Sequence, residues 1–131
     1  MLYRLRHLVL VVLVIVWATA FCGTHVPAPK LPSIHASDTT MHILGYFVLG
    51  IVFYITQSAY RVRPGVRALQ LLVVLAAYAA FDELTQPLVN RHASLVDWYA
   101  DVAAVAIAAG LGETVSGMLR MMRPSPDEAA Q

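Results

Sequence analysis

Four apolar stretches, each close to twenty residues long, dominate this chain. They run from about Leu8 to Cys22, Thr39 to Ser58, Ala68 to Gln86 and Val96 to Val115. A helix needs about 20 mostly apolar residues to cross a hydrocarbon core of about 30 Å. The expected fold is therefore all-α: a polytopic membrane protein with four transmembrane helices. The composition agrees. The chain is 59% hydrophobic and 13% charged, with mean hydropathy +0.65, whereas a soluble domain is about 25% charged. Its 131 residues suffice for one domain. The expected partner is the lipid bilayer. A net charge of +1, with no basic patch interleaved with aromatics, implies no nucleic-acid partner. The single Cys22 excludes an internal disulfide and a multi-cysteine zinc site.

Turn-rich connectors separate the spans: THVPAPKLPSIHAS, YRVRPGVR and PLVNRHAS. Pro87 removes a backbone donor and suits the end of the third span. Orientation follows from Lys and Arg. Arg4, Arg6, Arg61, Arg63, Arg67, Arg120 and Arg123 fall on one side, Lys30 and Arg91 on the other. The termini and the middle loop are expected to be cytoplasmic. Two arginines, an apolar run and Ala18-Thr19-Ala20 also give the N-terminus the features of a signal peptide; we favour an uncleaved span. The expected domain is 1–119, with a disordered cytoplasmic tail over 120–131. The PAPKLP segment should be extended. Small residues four apart (Ala76 and Ala80, Ala104 and Ala108, Ala106 and Gly110) suit close helix packing.

Against this apolar background stand five acids: Asp38, Asp82, Glu83, Asp97 and Asp101. A charge at a helix centre costs about 2.5–3.5 kcal/mol on insertion scales, so such residues are functional candidates. The topology brings all five to the outer leaflet. Asp38 and His42 are four apart, one turn along the same helix face, and Tyr46 continues it. Glu83 and Gln86 are three apart near the end of span three, beside Asp82 and Tyr78. Asp97 and Asp101 are four apart at the start of span four. Arg91, His92 and Ser94 occupy the loop between.

Capping explains part of this pattern. Asp38 reads as an N-cap, and Ser94-Leu95-Val96-Asp97 as a capping box. Neither device explains Asp82, Glu83 or Gln86, which lie at a helix C-terminal end where the dipole disfavours anions. Nor does capping explain Asp101, a turn deeper than Asp97. Arg91 reads either as a counter-ion or as a clamp for an anionic group. His25, His35 and His92 read as solvated loop residues, and Glu113 as interfacial. Tyr54, Tyr60 and Trp98 read as interfacial aromatic belts.

The ordered set Asp38-x-x-x-His42, Glu83-x-x-Gln86 and Arg91-x-x-Ser94-x-x-Asp97 resembles the VanZ-like family, over roughly residues 8–117. The resemblance implies a small multi-pass protein of the bacterial cytoplasmic membrane. The founding member is associated with resistance to the glycopeptide teicoplanin, which links the expectation to the cell envelope. Two positions depart from the family pattern. Thr39 stands where the family usually has Lys, and Asp101 where it usually has Asn. Each change makes the outer face more acidic.

The five acids face only Lys30 and Arg91, leaving −3 with histidines neutral. Crowded carboxylates cannot all ionise cheaply. Some must be protonated, a histidine must charge, or a cation must bind. A divalent cation fits the donors: carboxylates with the Gln86 oxygen suit Ca²⁺ or Mg²⁺, and carboxylates with His42 suit Zn²⁺ or Mn²⁺. Three functions stay open. An outer-face enzyme or binder of an envelope or amphipathic ligand would use Glu83 or Asp97 as base, His42 as acid or base, and Arg91 for charge stabilisation. Asp38, Asp82, Gln86, Ser94 and Asp101 would bind. The alternatives are a scaffold acting through a partner, and a proton or cation pathway. A pathway would have to cross inner halves that hold almost no ionisable residue.

Overall fold

The computed structural model describes residues 2–26 and 37–122. The expected extended PAPKLP segment and the tail from residue 123 lie outside the described residues. Four helices form, each where an apolar stretch was read: α1 (Arg6–Thr24), α2 (Asp38–Ala59), α3 (Val66–Thr85) and α4 (Leu95–Met121). No strand occurs among the described residues. All four helices are long and apolar enough to cross a membrane. A helix satisfies its own backbone groups, as lipid contact requires.

The ends of the helices have local causes. Ser37 caps α2, its hydroxyl accepting from Thr40 N at 3.2 Å. Asp38, expected as the cap, is instead the first helical residue. Its carboxylate is free to point away, because the serine one place earlier does the capping. Between α2 and α3 the chain turns through Arg61 at φ 60° and Gly65 at φ 76°. Pro87 ends α3 as expected, but a 3₁₀ turn continues from Gln86 to Val89. Asn90, at φ 60°, closes that turn in the left-handed conformation, which Asn tolerates better than most residues. α4 runs six residues beyond Val115, to Met121. At 1.5 Å per residue it is about 40 Å long. Arg120 and Met121 are therefore helical, not part of a disordered tail. Thr114, Ser116 and Arg120 do not break the helix because they hydrogen-bond carbonyls one turn back or side chains on α2.

Successive helices are antiparallel, and α4 packs against both α2 and α3. Its expected small residues act at the contact. Ala104 and Ala108 are buried, and a Cβ on Gly50 would lie 2.9 Å from that of Ala108. Ala106 and Gly110 face outward instead. The interior holds Leu49, Leu71, Leu75, Ala79 and Val105. α1 packs on α2 and buries fully only Leu13.

The surface is inverted relative to a soluble protein. Leu8, Val14, Leu69, Val73 and Ile107 are exposed, whereas Asp82 and Asp101 have no exposed area at all. Exposed apolar area on this scale marks a surface suited to contact with a membrane or another protein. Arginines cluster at the end opposite the acids. There Arg67 donates to Ser58 Oγ (2.7 Å) and pairs with Glu113 (3.4 Å), which also accepts from Gly65 N (3.2 Å). Glu113 is thus a structural partner of the α2–α3 turn rather than a free interfacial acid. Tyr54 is buried, donates to Ser116 Oγ (3.0 Å) and lies under the Arg67 guanidinium. It is a packing residue, not part of a belt. Trp98 likewise packs against the core and donates to Ala76 O (3.1 Å). Tyr60 is exposed, as a belt residue would be.

The tight crossing generates a test. Gly50→Ala should destabilise the bundle by about 1–3 kcal/mol through overpacking. Gly45→Ala, whose Cβ meets nothing within 4 Å, should not. Thermal unfolding in detergent compares the two.

Candidate functional site

The five acids do converge on one end of the bundle, but they divide into two groups. The first is built around His42, buried on the second turn of α2. Its Nδ1 lies 3.1 Å from Asp101 Oδ2 on α4 and 3.7 Å from Glu83 Oε1 on α3. Gln86 Nε2 donates to Glu83 Oε1 at 3.2 Å and sits 3.5 Å from His42 Nε2. Tyr46 stacks nearly parallel to the imidazole. His42, Glu83, Gln86 and Asp101 are therefore one connected set drawn from α2, α3 with the 3₁₀ turn that follows it, and α4.

Glu83 has a structural explanation that helix position alone did not suggest. Its second carboxylate oxygen accepts the backbone N–H of Ser94 at 2.6 Å. That donor belongs to the N-terminal end of α4, where free N–H groups and the helix dipole favour an anion. Glu83 thus caps a neighbouring helix. The capping box expected at Ser94-x-x-Asp97 forms only in part. Ser94 Oγ accepts from Asp97 N (3.2 Å), but Glu83 takes the place Asp97 would fill at Ser94 N. Asp97 is left with a buried Oδ1 that has no hydrogen-bond partner among the described residues. Asp101 Oδ1 and Asp82 Oδ2 are in the same condition.

Arg91 pairs with Asp38. The guanidinium is buried and the Asp38 side chain is half exposed, so this ion pair lies at the outer edge of the site. Of the two readings of Arg91, the described residues favour the counter-ion. Asp38, His42 and Asp97 also carry ligand-type atoms within 4.8 Å of one another, as do His42, Glu83 and Asp101. His42 is common to both triads.

Asp82 turns the other way, toward α1. It accepts from Thr24 Oγ1 at 2.8 Å and lies 3.5 Å from His25 Nδ1. His25 Nε2 in turn meets Thr85 Oγ1 at 2.9 Å. His25 is therefore a docked residue rather than a solvated one, and its side chain is only 12% exposed. Its docking, and that of Thr24, had no signal beyond their closeness to the end of α1. His92 is exposed, as expected; His35 lies outside the described residues. An aromatic series joins the two groups: Trp17 contacts Tyr78, Tyr78 contacts Tyr46, and Tyr46 stacks on His42. The Tyr46 and Tyr78 hydroxyls are buried without hydrogen-bond partners among the described residues. Beside this series lies an open apolar groove of ≈ 570 Å³, walled by Leu10, Leu13, Val14, Trp17 and Phe21 of α1 and by Tyr78.

The fold and the site together define a four-helix chain with an apolar exterior and a buried, acid-rich polar cluster at one end. No family profile, curated protein or solved structure matches it. One test follows from the shared cap. Ser94→Ala should cost about 1 kcal/mol through loss of the N-cap. Ser37→Ala should cost a similar amount, which chemical unfolding in detergent can measure.

Proposed function

We propose that this chain is a VanZ-like protein of the bacterial cytoplasmic membrane that binds or processes an amphipathic cell-envelope ligand at its acid-rich end. That end faces out of the cell. The carrying observation is the polar set His42–Glu83–Gln86–Asp101, held together from α2, α3 with its 3₁₀ turn, and α4 beneath the Arg91–Asp38 pair. A cluster used only for packing would be expected to satisfy its own polar groups. Here two carboxylate oxygens beside His42, on Asp97 and Asp101, have no hydrogen-bond partner among the described residues. The apolar groove, linked to His42 through Tyr78 and Tyr46, matches the hydrophobic part of an amphipath. In a catalytic cycle Glu83 or Asp97 would act as base and His42 as acid or base. Arg91, once released from Asp38, would meet an anionic headgroup. The link to glycopeptide resistance belongs to this proposal as the biological setting that the family resemblance suggests.

The outward direction is supported by the basic residues at the opposite end. Arg4, Arg6, Arg61, Arg63, Arg67 and Arg120 lie there, against Arg91 at the acid end. Cysteines placed in a Cys22→Ser background test it. A membrane-impermeant maleimide should label His92→Cys in intact cells and should leave Arg63→Cys unlabelled. The reverse pattern would place the acids in the cytoplasm.

Ligand handling is tested in nanodiscs loaded with extracted envelope lipids, with mass spectrometry of retained and converted species. The native chain should retain or convert a species that His42→Ala and Glu83→Gln do not. Undiminished handling by both variants would sink this reading.

A further inference from the structure

We infer that His42, Glu83 and Asp101 form a binding site for one divalent transition-metal cation, Zn²⁺ or Mn²⁺. The inference takes its location from the polar site proposed above and rests on three observations. The first is geometric. Metal–ligand bonds of about 2.0–2.2 Å in a tetrahedron hold ligand atoms about 3.3–3.6 Å apart. The separations from His42 Nδ1, 3.1 Å to Asp101 and 3.7 Å to Glu83, bracket that range. All three ligand atoms lie within 4.8 Å of one another.

The second observation concerns an atom with nothing to do. Asp101 has no exposed area, and Oδ1 of the carboxylate that faces His42 has no hydrogen-bond partner among the described residues. Asp97 Oδ1, in the adjoining triad that shares His42, is in the same state. Buried polar atoms are rarely left so. A cation bound at His42 would give the Asp101 carboxylate a positive partner.

The third is charge. Glu83 and Asp101 carry two negative charges when ionised. The nearest arginine, Arg91, is engaged by Asp38. One divalent ion neutralises the pair. The nitrogen donor suits Zn²⁺, and the carboxylates also suit Mn²⁺, whereas Ca²⁺ and Mg²⁺ take oxygen ligands alone. The metal would replace the proton on His42 Nδ1 that donates to Asp101, and metal binding would release protons. The Asp38–His42–Asp97 triad is the weaker choice, because Arg91 already holds Asp38. A cation at His42 would also give an anionic headgroup a positive partner deeper than Arg91.

Equilibrium dialysis tests the inference. Protein in detergent, stripped with EDTA and free of lipid ligand, is dialysed against Zn²⁺ or Mn²⁺ alone, and bound metal is measured by plasma mass spectrometry. One ion per chain is expected. Outer-shell groups alone are worth about 10–100-fold in metal affinity. Losing a direct ligand through Asp101→Asn or Glu83→Gln should therefore weaken binding at least about tenfold. Glu113→Gln removes an acid at the opposite end of the bundle, where it pairs with Arg67, and should leave binding unchanged. Circular dichroism identifies any variant that fails to fold, and the remaining variant and the native stoichiometry then decide. No metal on the native chain overturns the inference, as does equal loss in Glu113→Gln. Metal retained by a chain that handles no envelope ligand would sink the functional reading and leave the metal site standing.

Discussion

The approach of α2 to α4 at Gly50 and Ala108 governs the rest of the structure. Only a residue without a Cβ allows that separation, since an added methyl would stand 2.9 Å from its neighbour. His42 lies two turns from Gly50 along α2, and Asp101 two turns from Ala108 along α4. α2 and α4 run in the same direction, as the His42–Asp101 and Tyr54–Ser116 contacts near their two ends show, so both sets of turns lead to the same end. The 3.1 Å contact between His42 and Asp101 is the outcome. A wider crossing would part the imidazole from its carboxylate and leave two buried polar groups without each other. Loss of a partner for a buried polar group costs about 1–3 kcal/mol, and more for a charge.

The two ends of the bundle solve the same problem differently. At the basic end, Arg67 and Glu113 neutralise each other and tie the α2–α3 turn to α4. At the acid end, carboxylates outnumber their cations and lean on backbone N–H groups, hydroxyls and histidines. Glu83 at the start of α4 and Asp82 against Thr24 are the two clearest cases. The Arg67–Glu113 pair is charge-neutral and serves structure, although Arg67 Nε is itself buried without a hydrogen-bond partner among the described residues. A buried cluster with unpartnered oxygens has capacity for something else.

Much of the fold was legible because the apolar runs are long and their charges few. All four helices lie where hydropathy put them, and the convergence of the acids on one end follows from alternating direction alone. Pairing was not legible. Nothing in the spacing says that Glu83 would cap α4, or that Ser37 rather than Asp38 would cap α2. Both depend on the relative rotation of helices, which side-chain packing sets. The end of α4 was misread for a related reason. Thr114, Ser116 and Arg120 look like an exit from the apolar phase, yet each hydrogen-bonds to its own helix or to α2. His25 and Asp82 were misjudged because α1 reaches far enough to bring the histidine over α3.

The slight burial of α1 has a consequence for assembly. With Leu13 as its one fully buried side chain and no acid along its length, α1 is compatible with lipid on every face. α2, α3 and α4 are not, since each carries buried ionisable residues (His42; Asp82 and Glu83; Asp97 and Asp101) that lipid would penalise until the others arrive. In a chain that enters a bilayer helix by helix, α1 can wait alone, whereas the other three must associate almost as they enter. The short connections between them, residues 60–65 and 86–94, keep those three helices close during that interval.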